Sequence, residues 1–212
     1  DPQVTFRRVV DIDGDGNADL AWLNGGTNEL LFRRGNGDGT FGDASVMSFQ
    51  RRRPIAFEVA QIDDSPAPDL LMYFGSPVRE LQALRGRDDG TFQIVWTHEF
   101  VSGRWRWTTR HDLNGDGRMD FIIGADRVLV LLALASGGFQ ARELNVALDD
   151  GRLVDFDGDG KLDLVGTTDN GLVVLHGDGP RFGVPQVVLP DARGTFSLVD
   201  IDADGRLDIK YA

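Results

Sequence analysis

The hydrophobic residues of this chain occur in short runs, separated by clusters of glycine, asparagine and aspartate. In the first 50 residues the runs predict strands over Val4–Val10, Asp19–Leu23, Glu29–Arg33 and Ser45–Phe49. Short apolar runs bounded by Gly, Asn and Asp are typical of strands that are joined by tight turns. Because no stretch has the periodicity of a long amphipathic helix, the pattern predicts an all-β fold.

Two landmarks recur along the chain in a fixed phase. The first is a nine-residue loop rich in aspartate, which begins at Asp11, Gln61, Asp112, Asp155 and Asp200. The second is a glycine-rich turn that ends in phenylalanine, at Phe41, Phe92, Phe139 and Phe182. Since the second landmark follows the first by 27 to 31 residues each time, the chain consists of about four and a half copies of one repeat.

Each complete repeat predicts four short antiparallel strands, which is the content of a β-propeller blade. The predicted fold is therefore an all-β β-propeller of four-stranded antiparallel blades, with a β-solenoid as the structural alternative. We predict one domain over residues 1–212, with repeats at 1–50, 51–101, 102–146 and 147–190 and a partial repeat at 191–212. Two interpretations of the partial repeat stay open. The chain is a piece of a longer propeller, or the missing strands come from elsewhere, such as a second copy in an oligomer.

The aspartate-rich loops have the spacing of a calcium site. Oxygens at loop positions 1, 3, 5 and 9, with the backbone carbonyl at position 7, converge when glycine at position 6 adopts the left-handed conformation. Hard oxygen ligands at this density suit Ca²⁺. The predicted ligands are Asp11, Asp13, Asp15, Asn17 and Asp19 in the first loop, Asp112, Asn114, Asp116, Arg118 and Asp120 in the third, Asp155, Asp157, Asp159, Lys161 and Asp163 in the fourth, and Asp200, Asp202, Asp204, Arg206 and Asp208 in the fifth.

The second loop, from Gln61 to Asp69, departs from this pattern. It has Gln61 at position 1, Ser65 at position 5 and Pro66 at position 6. Proline is held at a φ of about −65° and cannot form the left-handed turn. We therefore predict about four calcium ions in the chain and an empty second loop.

An EF-hand is the alternative that the loop spacing raises. An EF-hand requires a bidentate glutamate at position 12 and a helix on each side of the loop. Position 12 is Trp22, Ile123, Gly166 or Tyr211, and the flanking residues are strand-like. This mismatch argues against an EF-hand.

The acidic charge of the chain is concentrated in these loops. The formal net charge is −12, and fifteen of the 34 acidic residues lie in the four predicted calcium loops. The acidity therefore indicates metal ligands, and without a recognised nucleic-acid module it predicts no nucleic-acid partner. There is no cysteine and no apolar run of about 18 residues, so we expect neither thiolate metal sites nor membrane insertion.

Segments such as D-I-D-G-D-G-N-A-D-L and G-N-G-D-G-T-F resemble the FG-GAP/VCBS repeat family, and the resemblance covers nearly the whole chain. That family includes the calcium-binding blades of integrin α-subunit propellers and many secreted bacterial proteins. The resemblance implies a propeller with a calcium loop between the first two strands of each blade. Complete members often have seven blades, and this chain has too few repeats to form seven. Some fungal lectins with similar repeats bind sugars between blades, and other relatives are adhesion modules or domains of polysaccharide-degrading enzymes.

A tryptophan-rich stretch carries the candidate ligand-binding residues outside the loops. Trp96, Trp105 and Trp107 lie within twelve residues and have the chemistry to stack on a sugar, with packing between blades as the alternative. No hydrolase constellation accompanies them, because the three histidines, His98, His111 and His176, fall in different repeats. We therefore expect that the chain is not an enzyme.

These observations together predict a secreted, calcium-stabilised binding module, either lectin-like with a glycan ligand or adhesive with an extracellular protein partner. An accessory domain or fragment of a polysaccharide lyase or hydrolase and a purely structural repeat module stay open as alternatives. Millimolar calcium is found outside the cell, so the loops favour a secreted, cell-surface or periplasmic protein. Each loop would gain stability from that calcium by mass action.

Overall fold

The computed structural model describes residues 4–50, 52–75, 79–87, 89–99, 105–192, 194–202 and 207–211. Within these ranges the chain forms strands and turns and no helix, so the all-β prediction is confirmed. Accordingly, the described residues include no helix that is long and apolar enough to cross a bilayer.

The described strands form four antiparallel sheets of four strands, which we call blades 1 to 4, and two short hairpins. Blade 1 contains β1 (Val4–Val10), β2 (Asp19–Asn24), β3 (Glu29–Gly35) and β4 (Phe41–Ser48). Blade 2 contains β5 (Pro54–Ala60), β6 (Asp69–Phe74), β7 (Glu80–Gly86) and β8 (Phe92–Glu99). Blade 3 contains β9 (Trp107–His111), β10 (Asp120–Gly124), β11 (Val128–Leu134) and β12 (Gly138–Leu144). Blade 4 contains β13 (Gly151–Val154), β14 (Asp163–Thr168), β15 (Gly171–Leu175) and β18 (Gln186–Pro190). The first hairpin pairs β16 (Gly177–Asp178) with β17 (Arg181–Phe182), and the second pairs β19 (Phe196–Val199) with β20 (Asp208–Tyr211).

The outer strands of the first two blades begin at the phenylalanine landmark. In blade 1 the outer strand begins at Phe41, four residues before the predicted start, because Phe41 already pairs with Gly35 of the neighbouring strand. In blade 2 Phe92 pairs with Gly86 in the same way. The landmark therefore marks the beginning of the outer strand rather than the turn alone.

The chain divides into two compact units. Unit 1 comprises Asp1–Ser102 and Ala133–Phe139, and unit 2 comprises Gly103–Leu132 and Gln140–Ala212. The expectation of one domain over residues 1–212 stays a prediction.

The core of unit 1 is apolar and aromatic, with blades 1 and 2 packed against each other. The rings of Phe6 and Phe57 meet edge to face with their centroids 5.3 Å apart. All six residues of Asp69–Phe74 are buried, as expected for an inner strand that is covered on both faces. Beside this core, the Arg8 guanidinium pairs with the Glu58 carboxylate at 2.8 Å and joins the first strands of the two blades.

The core of unit 2 is built around Trp107. This side chain is 9% exposed, and its indole Nε1 donates a hydrogen bond to the Leu148 carbonyl at 3.0 Å. The ring lies against Gly124 and Gly151, where any side-chain carbon would overlap it. Trp107 therefore connects blades 3 and 4 by packing.

Candidate metal centres in the blade loops

Each aspartate-rich loop connects the first two strands of a blade or hairpin, as the family resemblance implied. In the first, third and fourth loops the glycine at position 6 has a φ of +84° to +86°. The sequence prediction of a left-handed turn at this position is therefore confirmed in these three loops. Such a turn lets the side chains on both sides of it face one point.

The carboxylate at position 1 organises the turn. Asp11 accepts hydrogen bonds from the backbone N–H groups of Gly14 at 2.6 Å and Gly16 at 2.9 Å. Asp112 and Asp155 accept the corresponding bonds in the third and fourth loops. At position 5, Asp15, Asp116 and Asp159 accept from the backbone N–H of position 7, which is Asn17, Arg118 or Lys161.

The carboxylate at position 9 bonds to the start of its own loop and, in the first and fourth loops, also to a glycine at or just after the end of the third strand. Asp19 is fully buried and accepts hydrogen bonds from Ile12 N–H and Gly35 N–H, both at 2.8 Å. Asp163 is bonded in the same way, at 3.0 Å to Phe156 N–H and 2.8 Å to Gly177 N–H. Asp120 accepts from Leu113 N–H and Asp208 from Ile201 N–H, each at 2.9 Å.

The loop oxygens converge closely enough to share one cation. Ligand oxygens of Asp11, Asp13 and Asp15 lie within 4.8 Å of one another, and so do those of Asp155, Asp157 and Asp159. Calcium binds oxygens at about 2.3–2.6 Å, so two of its ligands are separated by at most about 5 Å. The donor chemistry and the spacing of both loops therefore fit Ca²⁺.

The third and fifth loops extend this pattern. In the third loop Asn114 Oδ1 accepts from Asp116 N–H at 3.0 Å, as the aspartate at position 3 does in the first and fourth loops. In the fifth loop, ligand oxygens of Asp200, Asp202 and Asp208 lie within 4.8 Å of one another. The remaining predicted ligands of the fifth loop, Asp204 and Arg206, lie outside the described residues.

The pKa values of the loop carboxylates are shifted in different directions. Burial raises the pKa of Asp13, and the nearby charges of Asp15 and Asp19 act in the same direction. In contrast, hydrogen bonds from the Asn17 backbone and side chain lower the pKa of Asp15, and the bond from Gly117 N–H leads those that lower the pKa of Asp112. A bound cation would relieve the repulsion that Asp13 experiences in the first loop.

In the second loop, protein groups stand where the other loops would hold a cation. Pro66 has no N–H group that could donate a hydrogen bond to a carboxylate at position 1. Position 1 is Gln61, whose side-chain amide acts as a donor instead. Gln61 Nε2 donates to the carbonyls of Asp63, at 2.7 Å, and Ser65. The guanidinium of Arg85 forms an ion pair with the Asp63 carboxylate, which is 1% exposed. These contacts agree with the prediction of an empty second loop, which stays a prediction.

Three basic side chains contact the loops and were not found by sequence reasoning. Arg34 Nε lies 2.8 Å from Asp13 Oδ2, and Arg85 pairs with Asp63. His176 Nδ1 lies 3.1 Å from Asp157 Oδ2 and 3.5 Å from Asp163 Oδ1. Arg34 and Arg85 lie at the end of the third strand of their blades, and His176 directly follows the third strand of blade 4. Each of the three is followed directly by a glycine in the sequence, and this local signal could have identified them.

The three tryptophans have different surroundings. Trp96, in unit 1, stacks on His98 with centroids 5.6 Å apart and meets Phe139 edge to face. Trp105, in unit 2, is half-buried and donates to Thr108 Oγ1 at 2.7 Å, whereas Trp107 is in the core of unit 2. A role of these residues in ligand binding stays a prediction, and the partly exposed rings of Trp96 and Trp105 are the ones placed for it.

A cleft of about 200 Å³ lies between the third and fourth loops. Its lining residues are His111, Asp112, Leu113, Gly160, Lys161, Leu162 and Gly179. Asp112 and Lys161 are also predicted calcium ligands, so the cleft and the two metal centres share residues. The Lys161 ammonium group pairs with Asp178 at 2.8 Å at the edge of this region.

Residues 155–209 match the FG-GAP-like repeat family. The match contains both the Asp155–Asp163 loop and the Asp200–Asp208 loop, so the predicted resemblance is confirmed for this part of the chain. No curated protein matches the chain by sequence.

Solved structures with the same fold support a β-propeller-like architecture. An Agrocybe aegerita lectin that recognises non-reducing terminal N-acetylglucosamine has a TM-score of 0.60 and 22% identity, with 96% of this chain and 59% of the lectin covered. BBS1N in complex with ARL6DN has a TM-score of 0.58 and 12% identity in a mercury-soaked crystal, covering 94% of this chain and 63% of that one. A lead-soaked crystal of the same complex gives 0.54 and 11%, covering 91% and 61%. At such identities the likeness shows the fold alone, and this chain spans about three fifths of each of these proteins.

Proposed function

We propose that this chain is a secreted, calcium-stabilised binding module for carbohydrate, and that the cleft between the third and fourth loops is its sugar site. The cleft itself carries the proposal, because it combines polar groups with apolar walls beside two predicted calcium centres. The β-propeller-like fold that the chain shares with the lectin supports the same conclusion.

The composition of the cleft suits a single sugar ring. His111 and Lys161 offer side-chain donors for hydroxyl groups, and Leu113 and Leu162 offer apolar contacts for the C–H face of a ring. Small-molecule sites usually measure roughly 300–1,000 Å³, so a cleft of about 200 Å³ favours a terminal monosaccharide unit over a long chain segment.

Calcium enters the proposal as a structural ion. Residues of each loop supply most of the predicted ligands, so a bound ion has few open positions for a substrate. Calcium would hold Asp112 and the carbonyl of Lys161 in place, and with them the two sides of the cleft. We therefore propose binding without chemistry on the ligand, in a compartment where calcium is millimolar.

A glycan array in millimolar Ca²⁺, repeated in EDTA, tests this function. We expect binding of glycans with an exposed terminal sugar, including terminal N-acetylglucosamine, and loss of that binding in EDTA. Titration calorimetry with the best glycan should then show a Kd that rises about tenfold or more in His111→Ala and stays unchanged in His98→Ala, since only His111 lines the cleft.

Several outcomes would contradict the proposal. Silence of the array in both buffers would argue against carbohydrate as the ligand. Binding that survives in His111→Ala but is lost in Trp96→Ala would place the site on blade 2. Release of unsaturated ends from uronate polysaccharides would indicate a lyase and not a binding module.

An extracellular protein is the second candidate ligand, and the outer strand of blade 4 favours it. All five residues of Gln186–Pro190 are exposed, with Val187 at 52%. Val184, just before this strand, is 76% exposed. Exposed apolar edge strands are favourable surfaces for protein association. Light scattering of the wild type and of Val187→Lys would show whether this edge binds a second copy of the chain. The partial fifth repeat is the other candidate surface for such an oligomer.

A further inference from the structure

In blades 1, 2 and 4, a side chain at or just after the end of the third strand contacts position 3 of the loop. We call this residue the facing residue. The strand register identifies it in each blade, because the residue after loop position 9 pairs with the residue that directly precedes the facing residue. The observed pairs are Leu20 with Arg33, Leu70 with Leu84, Phe121 with Leu131 and Leu164 with Leu175. The facing residues are therefore Arg34, Arg85, Leu132 and His176 in blades 1 to 4.

Blade 2 shows what a facing residue does when the calcium pattern is missing. The Arg85 guanidinium forms an ion pair with the Asp63 carboxylate at position 3 and donates to the Ser136 carbonyl at 2.7 Å. A charged protein group thus neutralises the carboxylate that a metal would otherwise neutralise. In blade 1, Arg34 Nε likewise lies 2.8 Å from the position 3 carboxylate of Asp13, so the facing residue contacts position 3 in loops with and without the calcium pattern.

In blade 4 the facing residue is a histidine. His176 Nδ1 lies 3.1 Å from Asp157 Oδ2 and 3.5 Å from Asp163 Oδ1. Nδ1 is a buried atom and has no hydrogen-bond partner in the described part of the chain. Ligand atoms of Asp157, Asp163 and His176 lie within 4.8 Å of one another. An imidazole nitrogen and two carboxylate oxygens thus converge on one point.

This donor set differs in kind from an all-oxygen calcium loop. Calcium and magnesium take oxygen ligands, whereas imidazole nitrogen is a preferred ligand of zinc and of other divalent transition metals. Three protein ligands of the His and carboxylate type, with water in the fourth position, are a common coordination of Zn²⁺.

We propose that Asp157, Asp163 and His176 form a mixed nitrogen–oxygen site in the fourth loop for a divalent transition metal of the zinc class. His176 coordinates through Nδ1, and the two aspartates contribute one oxygen each. Zinc and calcium share Asp157 and Asp163, so they compete for this loop. The first loop has Arg34 and the third has Leu132 at the facing position, and both lack the nitrogen ligand. This inference is independent of the carbohydrate proposal.

Imidazole nitrogen NMR of the ¹⁵N-labelled, tag-free full chain tests this site with Zn²⁺ as the probe. The sequence contains only three histidines, so each imidazole can be assigned by substitution. We expect one equivalent of Zn²⁺ to shift the Nδ1 resonance of His176 and to leave His98 and His111 unchanged. Equal shifts of all three histidines, or none at His176, would overturn the proposal.

Substitutions that copy the other blades provide a second measurement. His176→Leu reproduces the facing residue of blade 3, and we expect its Kd for Zn²⁺ to rise about tenfold or more while its Kd for Ca²⁺ changes less than about twofold. His176→Arg reproduces blades 1 and 2 and should weaken Zn²⁺ binding in the same way, because it removes the imidazole nitrogen. His98→Gln is the matched control, because His98 stacks on Trp96 in blade 2. An unchanged Zn²⁺ affinity in His176→Leu would contradict the site even if the chain binds no sugar.

Discussion

The carboxylate of Asp69 accepts a hydrogen bond from the backbone N–H of Gly86, 17 residues further along the chain, at 2.9 Å. Asp69 also accepts from the backbone N–H groups of Ile62 at 2.9 Å and Asp63 at 3.1 Å. The second loop keeps this aspartate at position 9 although it has lost the calcium pattern at positions 1, 5 and 6. We infer that position 9 joins the loop to the blade whether or not a metal binds.

Asp69→Asn should therefore destabilise the fold equally in calcium and in EDTA. The substitution replaces an acceptor oxygen with an amide group that faces buried N–H donors, and leaving such a donor unsatisfied costs about 1–3 kcal/mol. Urea unfolding followed by tryptophan fluorescence measures this loss. Asp43→Asn, at an exposed position, is the control and should have little effect. A loss that appears only in calcium would assign Asp69 to a metal site instead.

Removal of one calcium loop should lower the metal stoichiometry by one. Asp11→Asn exchanges a position 1 carboxylate for a neutral amide, so we expect one ion fewer by equilibrium dialysis. At calcium concentrations about 100-fold above Kd, one site contributes roughly 2.7 kcal/mol, and the calcium-dependent part of the free energy of unfolding should fall by about that amount. Gln61→Ala should leave the number of ions unchanged. A lower number in this control would mean that the second loop binds calcium.

The local pattern along the chain predicts strands and loops well because both depend on near neighbours. The first strand, Val4–Val10, has the predicted bounds, and the glycines at position 6 of three loops adopt the expected left-handed turn. Contacts that depend on the register of a hairpin cannot be predicted from near neighbours in the sequence. His176 lies 19 residues from Asp157, and only the pairing of Leu164 with Leu175 brings the two side chains together. Likewise, no local feature distinguishes the buried Trp107 from the half-buried Trp105.

The ion pair of Asp63 and Arg85 should make part of the stability dependent on pH. Burial acts to raise the pKa of Asp63, but hydrogen bonds from Ser65 and Arg85 outweigh it, and the pKa lies below its usual value. A lowered pKa stabilises the fold above the unfolded value of about 3.9, and this contribution is lost as the pH falls through the folded pKa. In EDTA, the difference in urea midpoint between wild type and Arg85→Met should be largest above about pH 5 and should shrink toward pH 3.

Arg87→Met is the matched control for this pH dependence. Arg87 is exposed and donates to Gln93 at 2.6 Å, and its charge is only a minor cause of the lowered pKa of the exposed Asp89, so its removal should produce a small difference that changes little with pH. A difference for Arg85→Met that also stays constant from pH 3 to pH 7 would contradict the linkage. Arg85 would then stabilise the loop by packing alone.

Trp107 should contribute to stability through both its volume and its single polar atom. Trp107→Ala would leave a cavity beside Gly124 and Gly151, and such truncations cost about 3–5 kcal/mol. Trp107→Phe keeps most of the ring but leaves the Leu148 carbonyl without its donor, so its loss should be smaller, on the order of 1–3 kcal/mol. Urea unfolding measures both variants, with Trp105→Phe as the control at a half-buried position. If Trp105→Phe proved as destabilising as Trp107→Phe, the indole of Trp107 would not be the specific link between blades 3 and 4, and general packing of the core would have to hold them together.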